Sequence, residues 1–250
     1  MKKEPLVSIL ITYFYKMKYI KKTLNSIINQ NYNNYEIIFV YDNGNLSEFE
    51  EVKKLLENFR KKKIIINKKN IGASKSRNKG LKHCNGSYIA LIDADDIWSK
   101  NKLFFQISYM VKKKSLFSFT SYGVIDDTGN LKKYRKVSFN PNYNSLQKTN
   151  IIGLSTVIVS RKLIKLIKFP NLKTQEDLTL WLNLLKNGVE LEHIKKTLTF
   201  WRSTRNSLSS YKIQKLKDAF TMFYKYENKN LLNAIYCVLV LTFNKISKNL

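Results

Sequence analysis

The stretch Tyr88-Ile89-Ala90-Leu91-Ile92-Asp93-Ala94-Asp95-Asp96-Ile97-Trp98 runs from mostly apolar residues straight into three carboxylates. A short continuous apolar run bounded by polar residues fits a strand buried on both faces. The carboxylates then fall at the strand's carboxyl end, where open α/β sheets bind ligands. Negative charges so crowded repel one another, so the cluster makes most sense around a cation. A hard divalent ion with oxygen ligands, shared with a substrate phosphate, is the expected occupant. The competing reading is a helix N-terminus, with Asp95 or Asp96 capping a helix from Ile97 onward.

Upstream, residues 6–12 read as a first buried strand ending in Tyr13-Phe14-Tyr15, where an aromatic would lie against a planar ring. Residues 19–30 carry Ile20, Leu24, Ile27 and Ile28 at helical spacing. Residues 35–41 are a second strand, ending on Asp42-Asn43-Gly44-Asn45. Strand, helix and strand at this spacing form a βαβ unit with parallel strands. Asp42 therefore also falls at a strand's carboxyl end, although Asp-Asn-Gly-Asn is equally a good loop sequence. A helix over residues 49–59 and a strand over 63–67 continue the alternation. In Asn70-Ile71-Gly72-Ala73-Ser74-Lys75-Ser76-Arg77-Asn78-Lys79-Gly80, Gly72 supplies an unusual backbone angle where loop becomes helix. Arg77 is expected on that helix's exposed side, suited to a diphosphate; an ordinary basic surface helix is the alternative. The glycine spacing is not that of a P-loop.

Downstream, residues 102–111 read as helix and 115–124 as strand, with a hairpin-type turn at Asp126-Asp127-Thr128-Gly129-Asn130. Residues 151–160 are a further strand candidate, with Gly153 at a point of close approach. Thr174 and Asp177 match a capping box only loosely. Glu176 and Asp177 head an apolar helix, a structural position from which a carboxylate can also act as general base. Residues 200–210 mix aromatic, basic and hydroxyl groups and read as a loop, either a solvated connection or a phosphate-facing flap. Residues 211–226 form a Lys- and aromatic-rich helix. Residues 231–243 are apolar, but as a helix they span only about 20 Å, too short for a bilayer. They either pack on the core or lie in an interface with lysines reaching anionic head groups.

The formal charge of +27, from 45 basic and 18 acidic residues, favours anionic partners: nucleic acid, anionic lipid or phosphorylated substrates. No helix-turn-helix, zinc-ligand spacing or RNA-recognition pattern is present, so no specific nucleic acid is expected. Two cysteines, Cys84 and Cys237, are too few for a disulfide framework, and no signal peptide is evident. A cytoplasmic setting follows. His83 and His193 lie outside every motif and read as satisfied surface or edge residues.

Taken in order, these motifs resemble the family 2 glycosyltransferases, which have a GT-A fold, over roughly residues 5–210. The resemblance rests on Val7–Thr12, Leu24–Gln30, Ile38–Asp42, Asn70–Gly72 with Ser76–Gly80, Gly86–Asp96, Glu176-Asp177 and Trp201-Arg202. It implies an α/β, Rossmann-like, mostly parallel sheet flanked by helices, with a GT-A domain over 1–210 and a helical C-terminal extension over 211–250. The implied activity is inverting transfer of a sugar from a nucleotide-sugar, usually a UDP-sugar, to an acceptor hydroxyl. Thr12, Tyr13, Asp42, Gly72, Arg77, Asp93, Ala94 and Arg202 would line the nucleotide pocket, with Asp42 on the base. Asp93 and Asp95 would form the Asp-x-Asp element, with Asp95 the main ligand of Mn²⁺ or Mg²⁺. Asp177 would be the base, with Glu176 as orienting group or substitute, and Arg202 would face the leaving diphosphate.

The chain departs from the family pattern in three places. Thr12-Tyr13-Phe14-Tyr15 stands for the usual Pro-Thr-Tyr-Asn, Asn43 for a second Asp, and Thr204 for a His after the late Arg. The wording around Trp201-Arg202 and residues 207–210 resembles a subgroup that builds bacterial surface polysaccharide, lipopolysaccharide or capsule. A glycan or lipid-linked oligosaccharide acceptor on the inner face of the membrane is then implied, with the protein peripheral on an anionic surface. The readings set against this are a nucleic-acid-binding basic protein, a nucleotidyltransferase and a degenerate transferase.

Overall fold

Four parallel strands carry the first half of the chain: β1 (Val7–Tyr13), β2 (Tyr35–Tyr41), β3 (Lys62–Ile66) and β4 (Tyr88–Asp93), in the order β3-β2-β1-β4. The computed structural model describes residues 4–204 and 212–247. Alternate side chains of these strands enter two different cores, as the two-residue period of a strand requires. Ile9, Ile11, Ile37, Phe39, Ala90 and Ile92 enter one; Leu10, Ile38, Val40, Ile89 and Leu91 enter the other. Helices cover both faces, so the strand interiors are mostly apolar and the apolar runs in the sequence follow from that; buried Ser8 is an exception, its hydroxyl donating to Glu36.

The first core is closed by α1 (Met17–Ile28), α2 (Phe49–Leu56) and α4 (Lys102–Lys113), through residues such as Ile20, Leu24, Val52 and Ile107. The second lies under α3 (Ala73–Leu81), α5 (Tyr143–Lys148) and α6 (Glu176–Lys186), with Trp181 at its centre. Helix α3 sits so close to the sheet that a Cβ on Gly80 would stand 2.3 Å from Leu10 Cδ1. Any larger residue there would force Leu10 and Val40 to shift in the core. Helices α7 (Lys212–Thr221) and α8 (Leu231–Ser247) are joined by a π-helical turn, Met222–Tyr226, and add Ala219, Met222, Phe223, Ala234 and Leu241 to the same core.

The second half of the sheet is mixed. β5 (Ile97–Trp98), β6 (Phe117–Ile125), β7 (Leu131–Arg135), β8 (Ile158–Ser160) and β9 (Glu192–Arg202) extend the order to β3-β2-β1-β4-β8-β6-β9-β5, with β7 on β6. β8 runs antiparallel to both β4 and β6, whereas β6 and β9 are parallel.

Four local expectations are corrected. No helix starts at Ile97: Ile97 and Trp98 pair antiparallel with Phe200 and Thr199, which excludes the capping role for Asp95 and Asp96. Residues 200–202 are consequently strand, not loop. The strand expected over 151–160 is only Ile158–Ser160, because Leu154–Thr156 is a 3₁₀ turn; a Cβ on Gly153 would meet only ordinary contacts. His193 is buried, sharing a hydrogen bond with Ser121 Oγ through Nε2. The flap and wording at residues 205–210 lie outside the described residues.

Candidate active site

The carboxyl ends of β1, β2 and β4 converge. Thr12 lies opposite Asp93 in the β1–β4 ladder, and the Asp42 N–H donates to Tyr13 O at 2.8 Å. After β4 the chain turns through Ala94, Asp95 and Asp96, and the three carboxylates take different roles. Asp96 is buried and accepts the Arg202 N–H at 2.8 Å; burial, with Asp95 and Asp93 beside it, raises its carboxyl well above the usual range. It fastens β9 to the turn. Asp93 and Asp95 remain reachable, their side chains 33% and 13% exposed. The Asp93 N–H donates to Ser155 Oγ, and buried Ala94 accepts the Thr23 hydroxyl through its carbonyl.

Each reachable carboxylate already has a cation on one oxygen. Lys16 Nζ is 2.7 Å from Asp95 Oδ2, and Arg77 Nη2 is 2.8 Å from Asp93 Oδ1. Two hard oxygen donors completed by a substrate's phosphates are what Mg²⁺ or Mn²⁺ takes in such sites. No group of three or more His, Cys, Asp or Glu placed to hold a metal ion by itself is present among the described residues. The donor set therefore fits an ion that the substrate helps to hold.

Arg77 corrects another expectation. It is buried, not on the exposed side of α3, and its other nitrogen donates to Glu176 Oε1 at 2.8 Å. Burial works against its charge, but Asp93 and Glu176 overcome that and raise its pKa. Glu176 opens α6; burial pushes its carboxyl up to about 7 against the pull of Arg77. Asp177 follows, also raised by burial, with Asn150 Nδ2 3.4 Å from one oxygen and Leu178 N–H donating to the other. Thr174 makes no capping box here: its hydroxyl donates to Asp218.

Arg202 is buried across the turn from Asp95. Its Nε donates to Asp95 O, and Nη1 to Asp126 O and Asp127 O at 2.7 and 3.2 Å. The guanidinium lies over the Tyr19 ring, and Nη2 has no hydrogen-bond partner among the described residues. An unpaired buried charged donor is costly, so it is suited to an arriving anion.

The remaining expected residues are placed differently. The Asp42 carboxylate is buried and accepts from Asn67 Nδ2, Asn70 Nδ2, Ile71 N–H and Gly72 N–H. It holds the loop in which Gly72 takes φ +85°, so contact with a base would need some of these bonds to give way. Tyr13 is fully buried, stacked on Tyr41 and bonded to Glu48, and is not free to meet a ligand ring. Phe14 and Tyr15, each 48% exposed and in edge contact, are. Asn43 explains one departure from the family pattern: Nδ2 donates to Glu48 and Oδ1 accepts the Tyr15 N–H. An aspartate there would set a second carboxylate against Glu48.

Sequence reasoning missed Lys16, Ser155 and Asn150. Lys16 is one of several lysines between residues 16 and 22, and nothing in the spacing singles it out. Ser155 and Asn150 act over long sequence separations that no local pattern records.

Comparison with known proteins shows the family and the fold. Residues 8–165 match the family described as glycosyl transferase family 2. The putative teichuronic acid biosynthesis glycosyltransferase TuaG of Bacillus subtilis is 31% identical, covering 99% of this chain and 98% of its own. An Escherichia coli enzyme, UDP-Glc:alpha-D-GlcNAc-diphosphoundecaprenol beta-1,3-glucosyltransferase WfgD, is 32% identical over 85% of this chain and 83% of its own. Among solved structures, S. aureus TarS residues 1–349 in complex with UDP-GlcNAc superposes with a TM-score of 0.74 at 19% identity, covering 96% of this chain and 72% of that one. By the family match and these relatives, the chain, in which Arg77 links the Asp93–Asp95 turn to the Glu176-Asp177 helix start, belongs to glycosyl transferase family 2 and is a glycosyltransferase.

Proposed function

We propose that the protein transfers a sugar, with inversion, from a UDP-sugar to a hydroxyl of a lipid-linked precursor of a bacterial surface polysaccharide. The observation that carries this is Arg77, which touches Asp93 on the donor side and Glu176, the neighbour of Asp177, on the acceptor side. That single buried cation ties the two functional groups into one cleft. The relatives' names support the substrate classes: TuaG is assigned to teichuronic acid synthesis and WfgD to transfer from UDP-Glc onto a diphosphoundecaprenol-linked sugar.

In this reading Asp177 takes the proton of the acceptor hydroxyl as its oxygen attacks the anomeric carbon. The bond to the diphosphate breaks, and its electron pair leaves with UDP. One displacement inverts the centre and needs no protein nucleophile. Asn150 holds the Asp177 carboxylate, and Glu176, pinned by Arg77, orients the helix start. Arg202 Nη2 is the donor available to the departing phosphate, in a buried setting where such a bond is strong. Mn²⁺ or Mg²⁺ held by Asp95 and Asp93 would add Lewis-acid stabilisation of the same charge. Thr12, Ala94 and the Gly72 loop line the nucleoside end, with Phe14 and Tyr15 as the exposed rings. The protein works as a peripheral enzyme on the inner membrane face.

The test is UDP release from UDP-glucose and UDP-N-acetylglucosamine with a polyprenyl-diphosphate-linked N-acetylglucosamine acceptor, for wild type and Asp177→Asn. Acceptor-dependent release that disappears in the variant is expected. Absence of transfer from any UDP-, GDP- or dTDP-sugar to lipid-linked acceptors would overturn the reading.

A further inference from the structure

Among the described residues, exposed large apolar side chains cluster on the C-terminal helices. On α8, Ala234 and Leu241 face the core. The opposite side presents Leu232, Ile235, Tyr236, Leu239 and Phe243, with Leu232, Leu239 and Phe243 at 77%, 64% and 70% exposure. Their spacing of three and four residues makes them one stripe. Helix α7 adds a parallel stripe through Ile213, Leu216 and Phe220, and Leu216 and Phe220 meet Ile235, Val238 and Leu239 across a shallow apolar groove. A soluble surface does not need such a patch, and patches of this kind mark an interaction site.

The charges around the patch have one sign. Residues 212–247 contain six lysines, at 212, 215, 217, 225, 229 and 245, and only two acids. Both acids are buried and occupied: Asp218 accepts from Thr174, and Glu227 pairs with Lys186. The exposed charge of this face is therefore purely positive. Lys215 lies close to Lys245, and burial together with that neighbour lowers its pKa to about 7. A nearby anionic surface would favour the charged form of Lys215 that burial and Lys245 disfavour.

We infer that α7 and α8 form a seating face that lies in the head-group layer of an anionic membrane, with the apolar stripes inserted and the lysines on lipid phosphates. The combination of apolar stripe and cationic rim is what an interfacial helix uses. No helix among the described residues is long and apolar enough to cross a membrane. A second copy of the chain is the weaker occupant, because a two-fold contact through this face sets lysines against lysines.

The face is joined to the cleft. Asn244 of α8 donates to Lys148 O at the end of α5, two residues before Asn150, which holds Asp177. Seating on lipid thus brings the base to the layer from which a lipid-linked acceptor arrives. This link rests on the proposed acceptor; the face itself stands on exposure and charge alone.

The experiment is co-sedimentation of the full chain with phosphatidylcholine vesicles, with and without phosphatidylglycerol, alongside UDP binding. Wild type is expected on the phosphatidylglycerol vesicles and much less on phosphatidylcholine alone. Leu232→Glu with Leu239→Glu and Phe243→Glu should weaken vesicle binding about tenfold or more. Lys217→Glu or Lys225→Glu should weaken it about fivefold each. These positions are exposed, so UDP binding should stay unchanged and reports on the fold. Vesicle binding that ignores the apolar substitutions would overturn the inference. So would self-association abolished by them without vesicle binding. Failure to bind UDP would count against the transferase reading and leave the vesicle result standing.

Discussion

The two halves of the sheet build the cleft in opposite ways. In the parallel half, β1 to β4, Thr12, Asp42, Asp93 and Asp95 stand at or just past a strand's carboxyl end, within a few residues of the run that positions them. In the mixed half, Ser155, Glu176 and Arg202 come from a 3₁₀ turn, a helix start and a strand end, and each is held by a contact reaching across the sheet, while Asp177 follows Glu176 on the same helix. The first half is organised by local backbone geometry and the second by side chains that cross the seam. Donor binding should therefore respond to changes in the first half, whereas turnover should respond to the seam.

The sharpest separation is Asp177→Asn. It removes the base and leaves the donor side intact, so kcat should fall about 10²- to 10⁴-fold while UDP affinity is unchanged. A parallel loss of UDP affinity would mean that the halves are not separable. Next in size is Arg77→Met, which strips the shared cation from two carboxylates. Removing one partner of a buried pair costs about 3–5 kcal/mol, and roughly 10 °C in Tm for a chain of this size. Combining it with Glu176→Gln should recover part of that loss, whereas strictly additive losses would show that the seam contact is not coupled.

A smaller effect sharpens the same comparison through pH. Burial raises Asp177 and pushes Glu176 up to about 7. A base works only when ionised, so acidification should abolish turnover at a higher pH than an ordinary aspartate near 4 would allow. The raised Glu176 has a matching sign in stability. Folding favours its protonated form, so its contribution is most favourable below about pH 4.5 and declines as pH rises toward 7. Glu176→Gln should flatten that decline in a Tm–pH series. The smallest effect belongs to Lys16, whose partly exposed pair with Asp95 contributes about 1 kcal/mol or less. Lys16→Ala should barely move Tm and should raise Mn²⁺ affinity severalfold, measured by calorimetry with UDP present.

The contrast also explains what could be read from the sequence. The parallel half was legible because burial on both faces forces continuous apolar runs, which end where the carboxylates begin. The helix start at Glu176 was legible for a similar reason. Arg77 was placed in the right helix but on the wrong side, because helical pattern does not reveal that two distant acids, at 93 and 176, draw it inward. Tyr13 and Asp42 sit at the expected strand ends but turn into the structure, where Glu48 and the Gly72 loop engage them. The Ile97 helix failed because two residues of edge pairing with β9 outweigh a good capping sequence. Lys16 and Ser155 were illegible because long-range contacts leave no local period.

The central claim is that the donor's diphosphate is received at the Asp93–Asp95 turn. Calorimetric titration of UDP into wild type and Asp95→Ala, each with and without Mn²⁺, tests it most directly. The account predicts metal-dependent binding in wild type that is lost in the variant. Equal binding of UDP in all four titrations would contradict it.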